Sequence, residues 1–531
     1  MKSAASYMSF RKGDVNLYAV EMKNITKRFS NVIANNSVNL SIKKGEIHSL
    51  LGENGAGKTT LMKILYGMYQ PDEGEIFING KKETISSPAK AIRLGIAMVH
   101  QHFMLVEPMT VAENIVLGYE PRKGIFFNME QAAANVQEIS EKYGLKVDPL
   151  AKIEDLPVGT KQRVEILKAL YRKAEILILD EPTAVLTPLE VKELFSILKE
   201  LKKIGKSIII ITHKLNETMD IADRITVLRG GNVIDTMEKC DTDESKLAQI
   251  MVGRKVSFEI NKKEPAVQKK NVLVIKNAVL GKKGVQKLKG INLELNGGEI
   301  LGLAGVEGNG QSELIEVLTG ITPLEKGCIL LNGKDITNSS PIKMLESGIG
   351  HIPEDREKRG LVKEFSIKDN LILGYHRKKQ FSSRGILNRR NIESFAQKIS
   401  KQFNIKAENP DALVSTLSGG NEQKVVIGRV LSEDPEVIIA AQPTRGVDIG
   451  AIEYIHKKLM EMKDQGKAIL LISAELDEII KLSDRIAVIY EGKITACGRT
   501  QDFSESRLGL LMTGGKTDKS GRIEKNDQKN I

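Results

Sequence analysis

Short apolar runs recur along the chain and alternate with segments of helical pattern. Five of these runs have the length of buried strands: Ile47–Leu51, Ile96–Val99, Ala174–Asp180, Ile208–His213 and Val437–Ala440. Segments such as Leu61–Leu65, which follows the first run, continue as helices. Strands that alternate with helices predict an α/β fold in which a mainly parallel sheet is flanked by helices.

The same plan occurs twice in the chain. Lys44–Gly52 recurs as Gly297–Gly305, 253 positions later, and Gln101 and Glu354 keep this offset. Such a repeat predicts two tandem domains of one fold.

The offset grows in the second half, where Asp180 and Ala441 are 261 positions apart. The second half thus carries eight more residues between Glu354 and Leu417. We expect them in the charged stretch around His376–Arg390.

The repeat and the polar segments set the predicted boundaries. We predict domains at 18–252 and 272–513, joined by a polar linker at 253–271. The tails 1–17 and 514–531 have few apolar residues and are predicted to be disordered.

Composition narrows the class of protein. The 531 residues include no apolar run long enough for a membrane span and no secretory signal pattern at the N-terminus. Three isolated cysteines suit a reducing compartment. Of the net charge of +11, +8 lies in residues 1–17, 254–271 and 516–531. Because the basic residues lie mainly in tails and linker, the charge is weak support for nucleic-acid binding and is compatible with an anionic membrane surface.

A phosphate-binding loop is the most specific motif. The segment Gly52–Thr60 fits the pattern G-x-x-x-x-G-K-[ST] between a predicted strand and a predicted helix. Its glycines allow backbone amides to approach phosphate, Lys58 supplies charge for the β- and γ-phosphates, and the Thr59 hydroxyl suits Mg²⁺. The predicted nucleotide-binding residues here are Gly52, Glu53, Asn54, Gly55, Ala56, Gly57, Lys58, Thr59 and Thr60.

Other strand ends supply candidate catalytic groups. Asp180 is predicted to hold Mg²⁺, and Glu181 to polarise the attacking water. His213 ends another strand, and we interpret it as a γ-phosphate contact rather than a structural histidine. Gln101 follows a third strand and could contact Mg²⁺ and the water. Phe29 is predicted to stack on adenine, with an ordinary core role as the alternative.

In this order, the motifs resemble those of an ATP-binding cassette (ABC) ATPase that is duplicated in one chain, over roughly residues 18–515. The second half contributes Leu417–Val425, which resembles the signature motif of the family. The resemblance implies a P-loop NTPase core sheet plus a helical subdomain in each domain. It also implies an intramolecular head-to-tail pseudo-dimer, with ATP and Mg²⁺ as cofactors. In that arrangement the signature residues Ser418, Gly419, Gly420 and Asn421 would complete the opposite nucleotide site.

The second half departs from the family pattern at its own nucleotide site. Gln311 replaces the loop lysine, Ala441 and Gln442 replace the acidic pair, and Ala474 replaces the histidine. The first half departs only in its signature, Leu156–Thr160. If the domains pair head to tail, all the losses fall on one site. We therefore expect one hydrolytic and one non-hydrolytic site.

The resemblance also implies a role. The pattern is most similar to fused ATPases of the simple-sugar and nucleoside importers, and within them to the nucleoside branch. This implies a peripheral protein at the cytoplasmic face of the membrane. Its implied partners are two permease subunits and an extracytoplasmic substrate-binding (lipo)protein, without nucleic acid. The alternatives are ribose or galactose import, a twin-cassette ATPase acting on the ribosome, and a DNA-repair ATPase.

Overall fold

The computed structural model describes residues 17–515 except positions 31, 102, 185, 187, 255–268, 283–284 and 307. The predicted tails, apart from Leu17, Gly514 and Gly515, and most of the predicted linker lie outside the described residues. The chain divides into two compact units, residues 1–256 and 257–531. No helix among the described residues has the length and apolar character needed to cross a membrane.

Unit 1 contains two main sheets. A four-stranded antiparallel sheet has the order β2-β1-β4-β5, and a six-stranded sheet has the order β12-β11-β3-β10-β9-β6. In the larger sheet β11, β3, β10, β9 and β6 are parallel, and β12 is antiparallel at one edge. The strands are β1 Tyr18–Phe29, β2 Val32–Lys43, β3 Ile47–Gly52, β4 Glu73–Ile78, β5 Lys81–Glu83, β6 Ile96–Val99, β7 Arg122–Lys123, β8 Phe126–Phe127, β9 Ile176–Asp180, β10 Ser207–Thr212, β11 Arg224–Arg229 and β12 Asn232–Glu238.

The helices of unit 1 cover the parallel sheet and form a smaller group beside it. Helices α3, α4 and α5 pack on one another and form this helical subdomain. The helices are α1 Lys58–Leu65, α2 Pro88–Arg93, α3 Val111–Val116, α4 Met129–Tyr143, α5 Val158–Tyr171, α6 Pro188–Lys203, α7 Leu215–Ile221 and α8 Glu244–Val252.

Unit 2 repeats this architecture. Its sheets have the orders β14-β13-β16-β17 and β18-β21-β22-β15-β23-β24. The strands are β13 Lys269–Lys282, β14 Val285–Gly297, β15 Ile300–Ala304, β16 Lys326–Leu331, β17 Lys334–Asp335, β18 Ile349–Ile352, β19 Ser382–Ser383, β20 Ile386–Leu387, β21 Val437–Ala441, β22 Ala468–Ile472, β23 Arg485–Tyr490 and β24 Lys493–Arg499. The helices are α9 Gln311–Leu318, α10 Pro341–Glu346, α11 Ile367–Leu371, α12 Arg389–Gln402, α13 Gly419–Leu431, α14 Ile449–Asp464, α15 Leu476–Leu482 and α16 Glu505–Met512.

The α/β fold predicted from the apolar runs is confirmed in both units. The central strands β3, β9 and β10 are buried along their whole length, as strands covered by helices on both faces must be. Strand β13 begins at Lys269, so Lys269–Asn271, which the polar pattern assigned to the linker, belong to a strand. Lys269 pairs with Gly297 of β14, and Asn271 N donates to Asn296 Oδ1 at 2.9 Å, contacts that the apolar pattern could not reveal.

The eight extra residues of unit 2 lie in three places, not in one. The equivalent helix caps Thr110 and Ser366 are 256 positions apart, so three residues precede them. A single π-helical turn at Arg356–Gly360 lies in that interval. Strands β7 and β19 are 260 positions apart, which puts four more residues between 366 and 382. The eighth residue lies between 388 and 417, where the offset reaches 261. The predicted location around His376–Arg390 therefore holds for about half of the insertion.

Candidate functional site

The loop between β3 and α1 requires glycine at two positions. A Cβ on Gly52 would lie 2.4 Å from the carbonyl oxygen of Leu228. Gly57 has a φ of 97°, and a Cβ there would lie 2.2 Å from the Ala34 oxygen. Only glycine combines this left-handed backbone with so close an approach. The loop, Glu53–Gly57, therefore wraps tightly ahead of the first turn of α1, where helix amides favour an anion.

Lys58 lies inside this loop. Its side chain is only 5% exposed, and Nζ donates to the backbone oxygens of Gly52 at 2.6 Å and Glu53 at 2.9 Å. Burial lowers the pKa of Lys58 to about 8, against the opposing charges of Glu181 and Asp180. The ammonium is thus held at the centre of the loop, in contact with atoms that a phosphate could replace as its partners.

Thr59 and Asp180 face each other across the sheet edge. The Thr59 hydroxyl donates to Asp180 Oδ1 at 3.3 Å. Burial, together with the neighbouring Glu181, raises the pKa of Asp180. A hydroxyl and a carboxylate oxygen at one point are hard oxygen donors, the chemistry that Mg²⁺ prefers.

Glu181 joins the candidate catalytic residues. His213 Nδ1 lies 2.8 Å from Glu181 Oε1, and Gln101 Nε2 donates to Glu181 Oε2 at 2.9 Å. Burial raises the pKa of Glu181, but the hydrogen bond and charge of His213 and the charge of Lys58 outweigh it, so the pKa lies below its usual value. Glu181 also has a φ of 46°, a rare backbone conformation for a residue with a Cβ. The structure therefore brings together three residues that lie far apart in the sequence.

Phe29 lies at the end of β1 and is 40% exposed. It packs edge-on against Tyr69, with ring centroids 5.3 Å apart. A core role, the alternative considered from the sequence, does not fit this exposure. The sequence does not indicate a role for Tyr69, because a lone tyrosine after a helix belongs to no motif.

Two residues that the sequence reasoning missed clamp the segment after Gln101. Glu165 Oε1 accepts a hydrogen bond from Met104 N at 2.7 Å, and Lys168 Nζ donates to Met104 O at 3.0 Å. Both side chains come from α5, so the helical subdomain holds the backbone three residues beyond Gln101. The only sequence signal was their spacing of three, which puts them on one helix face.

Comparison with known proteins decides the family. The family model described as "ABC transporter" matches residues 35–184 and 288–445, which together make up more than half of the chain. The chain belongs to the ABC transporter family. It is an ATP-binding protein and an ATPase of this family, as its motifs predict, and its two units are ABC domains.

Two curated relatives match nearly the whole chain. The "Nucleoside import ATP-binding protein NupA" of Lactococcus lactis subsp. cremoris is 52% identical over 93% of this chain and 98% of its own length. The "Guanosine import ATP-binding protein NupO" of Bacillus subtilis is 52% identical over 95% of this chain and 99% of its own length.

One solved structure also matches the fold over nearly the whole chain. It is the archaeal ribosome recycling factor aABCE1, crystallised with the ribosomal stalk protein aP1. It covers 95% of this chain and 96% of its own, with a TM-score of 0.62 and 17% identity. At this identity the match concerns the fold alone.

The second ABC domain keeps the loop but not its chemistry. Gly310 has a φ of 113°, and α9 begins at Gln311 as α1 begins at Lys58. Gln311 is buried, its Nε2 lies against Gly305, and its Oε1 has no hydrogen-bond partner among the described residues. An unpaired buried oxygen of this kind costs about 1–3 kcal/mol. The amide has no positive charge to offer a phosphate.

The acidic pair of the first domain has no equivalent chemistry in the second. Gln442 keeps the rare backbone of Glu181, with a φ of 45°. Its Oε1 accepts a hydrogen bond from the backbone nitrogen of Ala474 at 3.0 Å, where the first domain has His213. Glu354 pairs with Arg445 instead of reaching Gln442. Ala441 offers no oxygen on its side chain.

The signature residues lie at the start of α13 in the second domain. Ser418 is the exposed N-cap residue, and its hydroxyl makes no bond to the helix backbone and accepts one from Asn421 Nδ2 at 3.0 Å. Gly420 fits against Asp448, where a Cβ would lie 2.7 Å from Oδ2. Arg356, which the sequence reasoning missed, packs against Gly419 and donates to the Arg445 oxygen at 2.8 Å. The corresponding helix α5 has Pro157 as its N-cap residue, with no side-chain donor.

Proposed function

We propose that the chain is the ATP-hydrolysing subunit of an ABC importer for nucleosides. Two relatives at 52% identity, one named for nucleoside import and one for guanosine import, support this substrate class. In this function the chain lies at the cytoplasmic face of the membrane. Its partners are two permease subunits and an extracytoplasmic substrate-binding protein, and the function does not involve nucleic acid.

The assignment of ATP hydrolysis rests on the difference between Glu181 and Gln442. Glu181 is a carboxylate held by Gln101 and His213, with a pKa below its usual value, so it is ionised at neutral pH and can accept a proton from water. Gln442 has the same backbone but an amide that accepts no proton. We therefore infer that one site hydrolyses ATP and that the other does not.

Mg²⁺ fits the first domain because Thr59 and Asp180 supply oxygen donors within 3.3 Å of each other. These two residues would hold the ion together with the nucleotide phosphates. Gln101 is hydrogen-bonded to Glu181, the residue that follows Asp180, and is proposed as a further contact of the ion. The bound ion would neutralise charge on the β- and γ-phosphates. Lys58 supports the phosphates on the loop side, and Phe29 supports the base.

Ser418–Asn421 are proposed to complete the site of the first domain in a head-to-tail pseudo-dimer. An exposed hydroxyl and a helix N-terminus without a side-chain cap suit an anion. Replacing Ser418 with arginine should lower ATP turnover at least tenfold, since preorganised donors at a phosphate contribute about that much or more. Pro157→Arg, at the equivalent N-cap position of α5, is the matched control and should retain turnover. If both substitutions had equal effects, the proposed pairing would be wrong.

Uptake measurements test the substrate class. A strain that lacks this protein should lose uptake of labelled guanosine and regain it with the wild-type chain. Retention of nucleoside uptake with loss of ribose or galactose uptake would transfer the proposal to a simple sugar. Loss of neither would remove the importer assignment.

A further inference from the structure

The helical subdomain of the second domain contains a described segment with a high net positive charge. We name residues 374–392 the basic hairpin segment, because they span the β19–β20 hairpin and the start of α12. The segment has six basic residues and no acidic one. The six are Arg377, Lys378, Lys379, Arg384, Arg389 and Arg390.

The first domain provides an internal comparison. Its equivalent segment, residues 118–132, spans the β7–β8 hairpin and the start of α4. There Arg122 and Lys123 are balanced by Glu120 and Glu130, so the net charge is zero. The hairpin and the helix need no such charge to form, since both domains build them. Four of the extra residues of unit 2 fall between 366 and 382, where three of the cations lie.

The charges of the basic hairpin segment are exposed and mostly unpaired. All six basic side chains are solvent-exposed. Lys378 pairs with Glu433. Within the described residues, no carboxylate forms an ion pair with the other five.

Two of these cations occupy an unfavourable position for the helix. Arg389 and Arg390 lie in the first turn of α12, which contains no acidic residue. The helix dipole disfavours positive charge at this end. The equivalent first turn of α4 contains Glu130, which the dipole favours. The two arginines therefore do not stabilise the helix. Binding of an anion from outside the chain would account for their presence at this end.

The segment is preformed rather than loose. Phe381 is buried, packs on Phe395 with ring centroids 4.9 Å apart, and joins a small apolar cluster with Ile372 and Ile392. Backbone bonds from Phe381 N to Lys378 O at 2.8 Å and from Asn388 N to Phe381 O at 2.8 Å close the loop. A binding partner would meet cations whose backbone is already ordered, which lowers the entropic cost of binding.

The second strand of the hairpin, β20, exposes apolar side chains beside the turn at Arg384 and Gly385. Ile386 is 75% exposed and Leu387 is 47% exposed. Aliphatic side chains flanked by arginines match the boundary between lipid headgroups and acyl chains. Tyr375 and Phe381 are the only Tyr or Phe residues of the segment, and neither is fully exposed, so it lacks the exposed stacking rings typical of RNA-binding surfaces.

We propose that the basic hairpin segment binds the anionic phospholipid surface of the membrane. Its arginines and lysines contact headgroup phosphates, and Ile386 and Leu387 enter the interface. The proposal relies on the proposed function only in that an importer subunit works beside a membrane. Contact between this segment and lipid would strengthen the attachment of the second domain to the membrane, in addition to its binding to permease subunits.

Vesicle sedimentation with the full-length chain tests this proposal. The wild type should bind vesicles of phosphatidylcholine mixed with phosphatidylglycerol more tightly than vesicles of phosphatidylcholine alone. The triple variant Arg384→Gln, Arg389→Gln, Arg390→Gln should bind the anionic vesicles about tenfold more weakly or worse, because each cation near such a surface contributes to attraction. Salt at about 0.5 M should weaken binding of the wild type as well, since it screens exposed charge.

A matched control removes the same charge from the first domain. The variant Arg122→Gln, Lys123→Gln, Lys146→Gln alters three exposed cations there and should change vesicle binding less than about twofold. Both variants should keep wild-type ATP turnover, which separates this proposal from the proposed function. Equal vesicle binding by both variants would overturn it. So would tighter binding of the wild type to an RNA oligomer than to anionic vesicles, lost in the first triple variant.

A second variant tests the apolar side chains of β20 without changing the charge. Ile386→Ser with Leu387→Ser should lower binding to anionic vesicles and leave its dependence on salt unchanged. Unaltered binding would show that the segment is not inserted in the interface and would reject that part of the proposal.

Discussion

The two phosphate loops have nearly the same backbone and different chemistry. Both follow a central strand, both end in a glycine with positive φ, and both start a helix of eight residues. Lys58 makes two hydrogen bonds to its loop, whereas Gln311 leaves a buried oxygen without a partner among the described residues. The backbone is held by the sheet and the packed helix, so it survives a change that removes the charge. Phosphate binding thus depends on a single side chain, which can change while the fold of the loop stays the same.

Glu181 and Gln442 repeat this lesson at the neighbouring strand end. Their φ angles are 46° and 45°, so the rare backbone is kept where the carboxylate is lost. The backbone therefore follows from the shape of the turn and not from the reaction.

The largest expected effect comes from the carboxylate. Glu181→Gln should lower ATP turnover by about 100-fold or more, because a positioned general base contributes this much. Gln442→Ala should leave turnover within about twofold, since it removes no proton acceptor. Both are measured by phosphate release under saturating ATP. Turnover near wild type in Glu181→Gln would contradict the assignment of a single hydrolytic site.

The next comparison concerns the loop lysine. Lys58→Ala should abolish nucleoside uptake and lower ATP turnover by about 100-fold, because it removes charge from a preorganised phosphate site. Gln311→Ala, at the equivalent position, should change turnover little. Uptake and phosphate release in the same cells and preparations measure both. Clear residual uptake with Lys58→Ala would mean that the second domain can drive transport with its own nucleotide site, against the inference of a single hydrolytic site.

The lowered pKa of Lys58 predicts a pH effect that the second domain cannot show. Phosphate binding favours the charged ammonium, whereas the free protein loses this proton as pH rises through about 8. ATP affinity should therefore fall about tenfold between pH 7 and pH 9. Titration calorimetry in two buffers of different ionisation enthalpy should detect uptake of about one proton per ATP at pH 9. Binding without proton uptake would mean that Lys58 stays charged in the free protein.

The smallest effect is expected at the base. Phe29→Ala should weaken ATP binding by about fivefold, which corresponds to one aromatic contact. Phe29→Tyr retains the ring and is the control. Fluorescence titration with a nucleotide analogue measures both variants. An unchanged affinity in Phe29→Ala would leave the ring with no role at the base.

The sequence by itself determined the architecture and most candidate residues. Apolar runs at Ile47–Leu51, Ala174–Asp180 and Ile208–His213 predicted the central strands, because burial on both faces requires continuous apolar side chains. The glycine pattern of the phosphate loop predicted a tightly wrapped backbone, since only glycine fits the contacts of Gly52 and Gly57. The repeat predicted a second domain of the same fold.

The tertiary structure alone decided which side chains meet. Gln101, Glu181 and His213 follow three different strands, and parallel strand order brings them within hydrogen-bond distance. Sequence spacing does not specify such distances, because the order of strands in a sheet differs from their order in the chain. For the same reason the clamp of Glu165 on Met104 and the unpaired cations of the basic hairpin segment became visible only in the folded domains.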